Sequence, residues 1–345
     1  MSDAIRLRKT YRTAVKEEFP QKIRILMGDT EVSLEKFYSL RYGDNPGYPA
    51  AIFAKDPPFR ELKKGKQGLS KTNFEDIYRA HLLLKNFPRP ACAYMKHLNP
   101  SGVAVAQADG VPLSQIIAEA READSQAAFG ATVGVNREVD SESARELIRT
   151  YIECIAAYGF VDNALTVLSE KSDLRVVQVT PSAHTSEFAL CLYPEGFATV
   201  SAPYRSRIKS KSDMTVVTKR TPTDREYDDL LFSWTVCAHV RSNAVVVSKN
   251  GCTLGIGTGQ QDRVTAARLA VEKPVETSRR EKLAGAVAAS DGYLPFRDTV
   301  DLLAKHGVVA VIQPGGSLKD QEVIDACDEY GMAMVFTGER CFSHF

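Results

Sequence analysis

Apolar positions along the chain switch between helical and strand spacing, and the switching predicts the elements. Phe74, Ile77, Tyr78, His81, Leu82 and Leu84 fall on one helical face, and Asn73 suits the N-cap of that helix. Phe87-Pro88 stops it, because Pro disfavours helical geometry in the residue before it. ACAYMKHLN then reads as a strand, PSG as a turn and VAVA as a strand end. LSQIIAEAREA, SESARELIRT and DNALTVLSEK are helical, ATVGV and LRVVQVT are strands, and IECIAAYG fits either. Such alternation predicts an α/β layered core.

The pattern lapses over 204–225, where seven Lys or Arg stand against two Asp. This stretch predicts a solvated basic connection between two halves, 1–205 and 206–345. The second half opens with a helix, YDDLLFSWTVCAHV. AVVVSKNGCTLGIG follows as a hairpin, because Asn250-Gly251 suits the positive φ angles of a two-residue turn. QQDRVTAARLAVEK is helical, and GVVAVIQP, LKDQEVIDACDEY and MAMVFT form a βαβ unit with parallel strands.

Composition narrows the classes. A chain of 345 residues, 44% hydrophobic and 25% charged, builds a globular core in about two domains. The formal charge of +1 gives no global pull toward nucleic acid or an anionic membrane. Seven scattered Cys without a C-x-x-C suggest reduced thiols in a cytoplasmic protein and no zinc ribbon. The start carries Arg6, Arg8, Lys9 and Arg12, a solvated arm or short helix without the apolar segment of a signal peptide.

Candidate chemistry gathers in a few places. Lys96-His97 ends a strand beside turn formers, and a neighbouring cation keeps an imidazole neutral and able to take a proton. An ion-paired Lys and a hydrogen-bonded His is the competing reading. Arg41-Tyr42 opens a turn-rich stretch, and Arg340 follows the last strand; a guanidinium fork suits phosphate, although either Arg also fits an ordinary surface. Gly255-Ile256-Gly257-Thr258-Gly259 lacks the third Gly of a dinucleotide fingerprint, so its glycines predict close backbone approach to a ligand or another element. Ser290 to Asp298 mixes aromatic residues, Pro and acids, fit either to flank a flat heterocycle or to pack as a loop with Asp298 capping a helix. His81 and His239 sit in helical patterns and read as packing residues.

Seven stretches, LRYGDNP, YMKHLNPSG, AAFGATVGVN, RSNAVVVSKNGCTLGIGTGQQDRVTAARLA, SDGYLPFRDTVDLLAKHGV, IQPGGS and TGERCFSHF, run in that order from about residue 39. In wording and order they resemble the AICAR transformylase family, the formyltransferase half of a bifunctional purine-biosynthesis enzyme. The resemblance implies an α/β fold of two cytidine-deaminase-like subdomains with mixed sheets flanked by helices. A zinc-free site is implied too, since the deaminase zinc pattern is missing. Because the motifs begin at once, a stand-alone transformylase without the cyclohydrolase domain is expected. Gly47-Tyr48, Ser101 and Glu153 depart from the family's usual His-Gln, Cys and Asp.

The implied reaction moves a formyl group from 10-formyltetrahydrofolate to the 5-amino group of AICAR ribotide. The resemblance makes His97 the general base and gives Lys96 the oxyanion or the proton relay. Asn243 would orient His97 or bond the carboxamide or formyl oxygen, and Arg263 would hold the carboxamide. Arg41, Tyr42 and Arg340 would hold the nucleotide and its phosphate, with Gly130 and Glu153 near base or ribose. Tyr293 and Phe342 would stack on rings, and Asp298 would face the folate. A homodimer with shared active sites, a separate IMP cyclohydrolase as partner, and no metal, nucleic acid or membrane complete the expectation. Another formyl donor and a non-catalytic purine-nucleotide sensor remain the alternatives.

Overall fold

Each half of the chain builds one side of a twelve-stranded mixed sheet in this computed structural model, which describes residues 10–11, 13–161, 163–181, 186–276 and 279–345. Arg6, Arg8, Lys9 and Arg12 lie outside the described residues. The first half contributes β4 (Phe59–Lys63), β5 (Ala91–Lys96), β6 (Asn99–Val105), β7 (Thr132–Val139), β8 (Cys154–Phe160) and β9 (Arg175–Val179). The second contributes β12 (Thr215–Val216), β13 (Val245–Lys249), β14 (Cys252–Gly257), β15 (Ala286–Ser290), β16 (Val308–Gln313) and β17 (Ala333–Phe336). The strand order is β12-β17-β16-β15-β13-β14-β6-β5-β7-β8-β9-β4. Outside this sheet, β1 (Lys22–Met27), β2 (Thr30–Ser39) and β3 (Ala51–Ala54) form a small sheet, and β10 (Ala189–Tyr193) with β11 (Phe197–Ser201) forms an exposed hairpin.

Read outward from the β6–β14 junction, the two halves share one topology. An antiparallel hairpin comes first, β5–β6 or β13–β14. Its outer strand, β5 or β13, pairs antiparallel with β7 or β15, two parallel steps follow, and a short antiparallel edge strand closes each side. The helices correspond as well. α1 (Lys71–Leu84) precedes the first hairpin, α2 (Leu113–Ala123) and the short α3 (Ser125–Ala128) follow it, and α4 (Ser141–Leu147) and α5 (Ala164–Ser169) connect the parallel strands. In the second half these places belong to α6 (Asp224–Cys237), α7 (Arg263–Glu276), α8 (Asp298–Lys305) and α9 (Asp320–Glu329).

Alternating strand residues explain the layers. Ala93, Met95 and Val246 face one side, with Leu83 of α1 and Trp234 of α6 in a single core that spans both halves. Tyr94 and Val247 face the other side, where each half has its own core. Gly102 of β6 and Gly255 of β14 sit where a Cβ would strike the carbonyls of Ala120 and Ala270. Gly257 likewise faces the Ala266 carbonyl, so Gly255 and Gly257 serve helix–strand packing.

Two local expectations change. The cap of α1 is Ser70, whose side chain accepts the Asn73 N–H at 3.2 Å, while Asn73 accepts the Ser70 N–H at 3.2 Å. Asn73 thus stands three residues inside a reciprocal capping box. The basic connection is also pinned: Glu339 accepts from Tyr204 Oη, Ser206 Oγ and both the backbone and the guanidinium of Arg207.

Candidate active site

The first hairpin does not run straight through Lys96-His97 as its sequence suggests. Lys96 pairs with Asn99, so His97 and Leu98 form the two-residue turn, and Pro100-Ser101-Gly102 lies within β6. The turn chemistry is hidden because neither residue is Gly, Asn or Asp, although φ is +51° at His97 and +71° at Leu98. Left-handed backbone costs a residue with a Cβ about 1–2 kcal/mol. Three hydrogen bonds hold the turn. Asp76 Oδ1 accepts the Leu98 N–H at 2.7 Å, and Asn99 Nδ2 donates to the His97 carbonyl at 3.1 Å. Asn99 Oδ1 in turn accepts the Arg241 N–H at 2.9 Å. The His97 side chain is exposed, and its imidazole has no hydrogen-bond partner among the described residues.

Around this turn most of the first-half candidates meet. Lys96 Nζ donates to the carbonyls of Phe129 and Gly130 at 2.8 and 3.1 Å. Asn73 Nδ2 donates to Glu153 Oε2 at 3.2 Å, and Arg175 reaches the same oxygen at 3.7 Å. Arg41 and Arg175 both donate to the Lys66 carbonyl, at 2.7 and 3.1 Å, and Arg41 lies over the Tyr42 ring and donates to its hydroxyl at 3.1 Å. Arg41 is only 3% exposed, so the reachable edge of this pair is Tyr42. Burial, and then the neighbouring Arg175, push the Arg41 guanidinium below its ordinary value. Burial pushes the Asp76 carboxyl up to about 7, against the downward pull of the Leu98 N–H and Lys96.

A second group forms at the start of α7. Arg263 is ion-paired with the fully buried Asp291 and donates to Asn243 Oδ1 at 2.8 Å. Asn243 Nδ2 donates to the Gln260 carbonyl at 2.9 Å, and Ser242 Oγ donates to Asp291. Phe342 takes the guanidinium of Arg340 over its ring at 4.8 Å and that of Arg263 at 5.7 Å. A Cβ at Gly292 would strike Arg263 and Phe342, so Gly there permits their approach. Tyr293 and Asp298 stand apart: Tyr293 is exposed with no ring neighbour among the described residues, and Asp298 accepts the Thr299 N–H at 2.7 Å.

Both groups lie at one end of the sheet. β6 and β14 run antiparallel, with Cys252 opposite Ala104, so the end of β14 that leads to Arg263 adjoins the His97 turn. Asn99 makes the link, accepting from Thr258 Oγ1 at 2.9 Å as well as from Arg241. A separate open cavity of about 720 Å³ adjoins the Arg41–Tyr42 loop, lined by Phe19, Tyr48, Phe53 and Phe74 with Lys71 between Asp44 and Glu75. None of Lys96, His97, Asn243 or Arg263 lines it. Among the described residues no group of three His, Cys, Asp or Glu side chains is placed to hold a metal, and no helix is long and apolar enough to cross a membrane.

A family model described as the AICARFT/IMPCHase bienzyme matches residues 1–273. The chain belongs to this family. The "Bifunctional purine biosynthesis protein PurH" of Aquifex aeolicus is 40% identical over 322 residues, covering 90% of this chain and 60% of that protein. Its counterpart in Oceanobacillus iheyensis is 36% identical over 319 residues, covering 91% and 60%, and that of Neisseria gonorrhoeae 41% over 316 residues, covering 90% and 58%. This AICARFT/IMPCHase-family chain therefore spans about 60% of the length of these relatives. The site holds residues that motif reading passed over: Asp76, Asn99, Arg175 and Asp291. For Asp76 a signal exists, since an Asp also occupies the same sixth position of α6.

Proposed function

We propose that the chain is an AICAR formyltransferase of purine biosynthesis, using 10-formyltetrahydrofolate as donor. The observation that carries the reading is the unpartnered His97 imidazole on a locked turn beside Lys96, in a chain similar to the PurH proteins. The 5-amino group of AICAR ribotide is a weak nucleophile, because its lone pair delocalises into the ring. As it attacks the formyl carbon, His97 takes its proton and the new C–N bond forms. Lys96 stabilises the oxyanion of the tetrahedral intermediate. The bond from the formyl carbon to the folate nitrogen then breaks, and that nitrogen leaves with the proton, giving formyl-AICAR ribotide and tetrahydrofolate. Asn243 and Arg263 hold the carboxamide, Arg340 and Tyr42, with Arg41 behind Tyr42, hold the nucleotide, and Gly130 and Glu153 flank base or ribose. Phe342, Tyr293 and Asp298 belong to the folate side of the reading. It places the enzyme in the cytoplasm, with one deaminase-like subdomain on each side of the 205/206 division and a separate IMP cyclohydrolase as partner.

The test is formyl transfer by purified protein supplied with either 10-formyltetrahydrofolate or formate plus ATP. Turnover with the folate alone is expected. Turnover only with formate and ATP makes another donor the substrate, and nucleotide binding without either turnover makes the protein a sensor. The reading includes a homodimer with site residues drawn from both chains. The Asn99 bridge within one chain favours a rival arrangement, one complete site per chain. Mixing inactive His97→Ala with inactive Arg263→Ala under subunit exchange separates them. Recovered activity supports the shared site, and exchange without recovery supports the rival.

A further inference from the structure

The turns at His97-Leu98 and Asn250-Gly251 hold equivalent places in the two halves, and all four residues have positive φ. In the second half the residues themselves favour that backbone. Asp229, sixth in α6, accepts the Asn250 and Gly251 N–H groups at 2.9 and 2.8 Å. In the first half the turn residues resist it, and Asp76, sixth in α1, accepts the Leu98 N–H at 2.7 Å. Both carboxylates are buried, at 5% and 4% exposure, so water does not replace them as acceptors. A Gly in place of His97 would relax the backbone but carry no imidazole.

We propose that Asp76 is a positioning residue of the formyl-transfer site, holding the left-handed His97-Leu98 turn through the Leu98 N–H and so aiming the imidazole. The inference rests on the formyltransferase reading. Asp76 touches no substrate; it acts on the direction in which His97 leaves the hairpin. A misplacement of about 1 Å at a reacting group costs on the order of 100-fold in rate. The charged and titratable groups facing Asp76 are Lys96 at the end of β5, Glu153 and Cys154 at the start of β8, and Glu75 and Arg79 on α1.

Asp76→Ala is expected to lower kcat about 10- to 100-fold while the KM for ribotide stays within about three-fold. Asp76→Asn keeps a carbonyl acceptor and should return kcat to within about three-fold of wild type. Leu98→Gly in the Asp76→Ala background should recover part of the loss, since Gly takes positive φ freely. Asp229→Ala is the control: it should lower the unfolding temperature and leave kcat unchanged. A folded Asp76→Ala enzyme with wild-type kcat overturns the proposal, as does an Asp76→Asn enzyme that fails to keep activity while folded. Should Asp76→Ala not fold, Asp76→Asn and the Leu98 amide decide. That amide is expected to exchange slowly with deuterium in wild type and Asp76→Asn, and fast exchange in wild type overturns the hold on the turn. A wild type without formyl transfer overturns the proposed function instead, and Leu98 exchange still reads the turn.

Discussion

The two halves of the sheet share a topology and differ in which end of the hairpin holds the candidate site residues. In the first half they gather at the closed end, on the His97-Leu98 turn. In the second they gather at the open end, where Asn243 enters β13 and Arg263 begins α7 after β14. The antiparallel β6–β14 junction turns one half over relative to the other, so closed end and open end come side by side. A repeated scaffold can thus bring unlike chemistry to one edge without either half carrying a whole site. Support differs too. The second group is held by a buried ion pair, Arg263–Asp291, and the first by hydrogen bonds from Lys96, Arg41 and Arg175 to backbone carbonyls and by one buried carboxyl.

The largest contrast should come from paired turn mutations. His97→Ala is expected to cut kcat by about 10²–10⁴ and leave ribotide affinity within a few-fold. Asn250→Ala, in the equivalent turn, should leave kcat unchanged, and equal losses in the two would erase the distinction between the halves. Next comes Arg263→Met, which leaves Asp291 charged and buried. Breaking such a pair costs about 3–5 kcal/mol, readable by urea unfolding, and adding Asp291→Asn should recover much of it. Lys96→Met, which loses only hydrogen bonds to two carbonyls, should cost less stability than Arg263→Met. Arg340→Ala should weaken ribotide about 10- to 100-fold, the range of a charge-assisted hydrogen bond, and spare the phosphate-free riboside. Equal losses for the two ligands would remove the phosphate role.

The remaining contrast is in pH dependence. Burial raises the Asp76 carboxyl from the ordinary 3.8 to about 7 in the folded protein. Between about pH 4 and pH 7 the native state therefore holds a proton that the unfolded chain has released, and stability falls as pH rises through that window. Asp76→Asn removes this slope, so its stability relative to wild type should increase from pH 4 to pH 7 and then level off. A flat difference would show that the carboxyl is ionised across the window in the folded protein.

Residue patterns made much of this legible. Helical spacing from Phe74 and the Asn250-Gly251 hairpin sit where the sequence reading placed them, because local periodicity and turn chemistry agree there with the tertiary fold. The first hairpin was illegible for the opposite reason. Pro100-Ser101-Gly102 looks like a turn but pairs within β6, and His97-Leu98 looks like strand but turns. A long-range carboxylate, 22 residues back on a helix, decides the matter, and short-range signals do not contain it. Likewise the basic stretch over 204–225 reads as solvated until Glu339, 132 residues beyond Arg207, closes on it. Asp291 was hidden inside a loop whose aromatic residues drew attention first. The duplicated topology was invisible because the halves share few residues in register beyond Gly102 with Gly255 and Asp76 with Asp229.

The two halves put the same kind of acceptor under unlike turns, Asp229 under Asn-Gly and Asp76 under His-Leu. A buried carboxyl that satisfies a hairpin's amides serves either turn. Asn-Gly takes positive φ readily, so there the acceptor only adds to a turn its residues already favour. At His97-Leu98 the acceptor makes a poor turn residue tolerable, and that tolerance admits an imidazole at the tip of a hairpin. Asn or Gly at position 97 would fit this backbone better and leave Asp76 with less to hold, so the helix residue and the turn residue set each other's freedom.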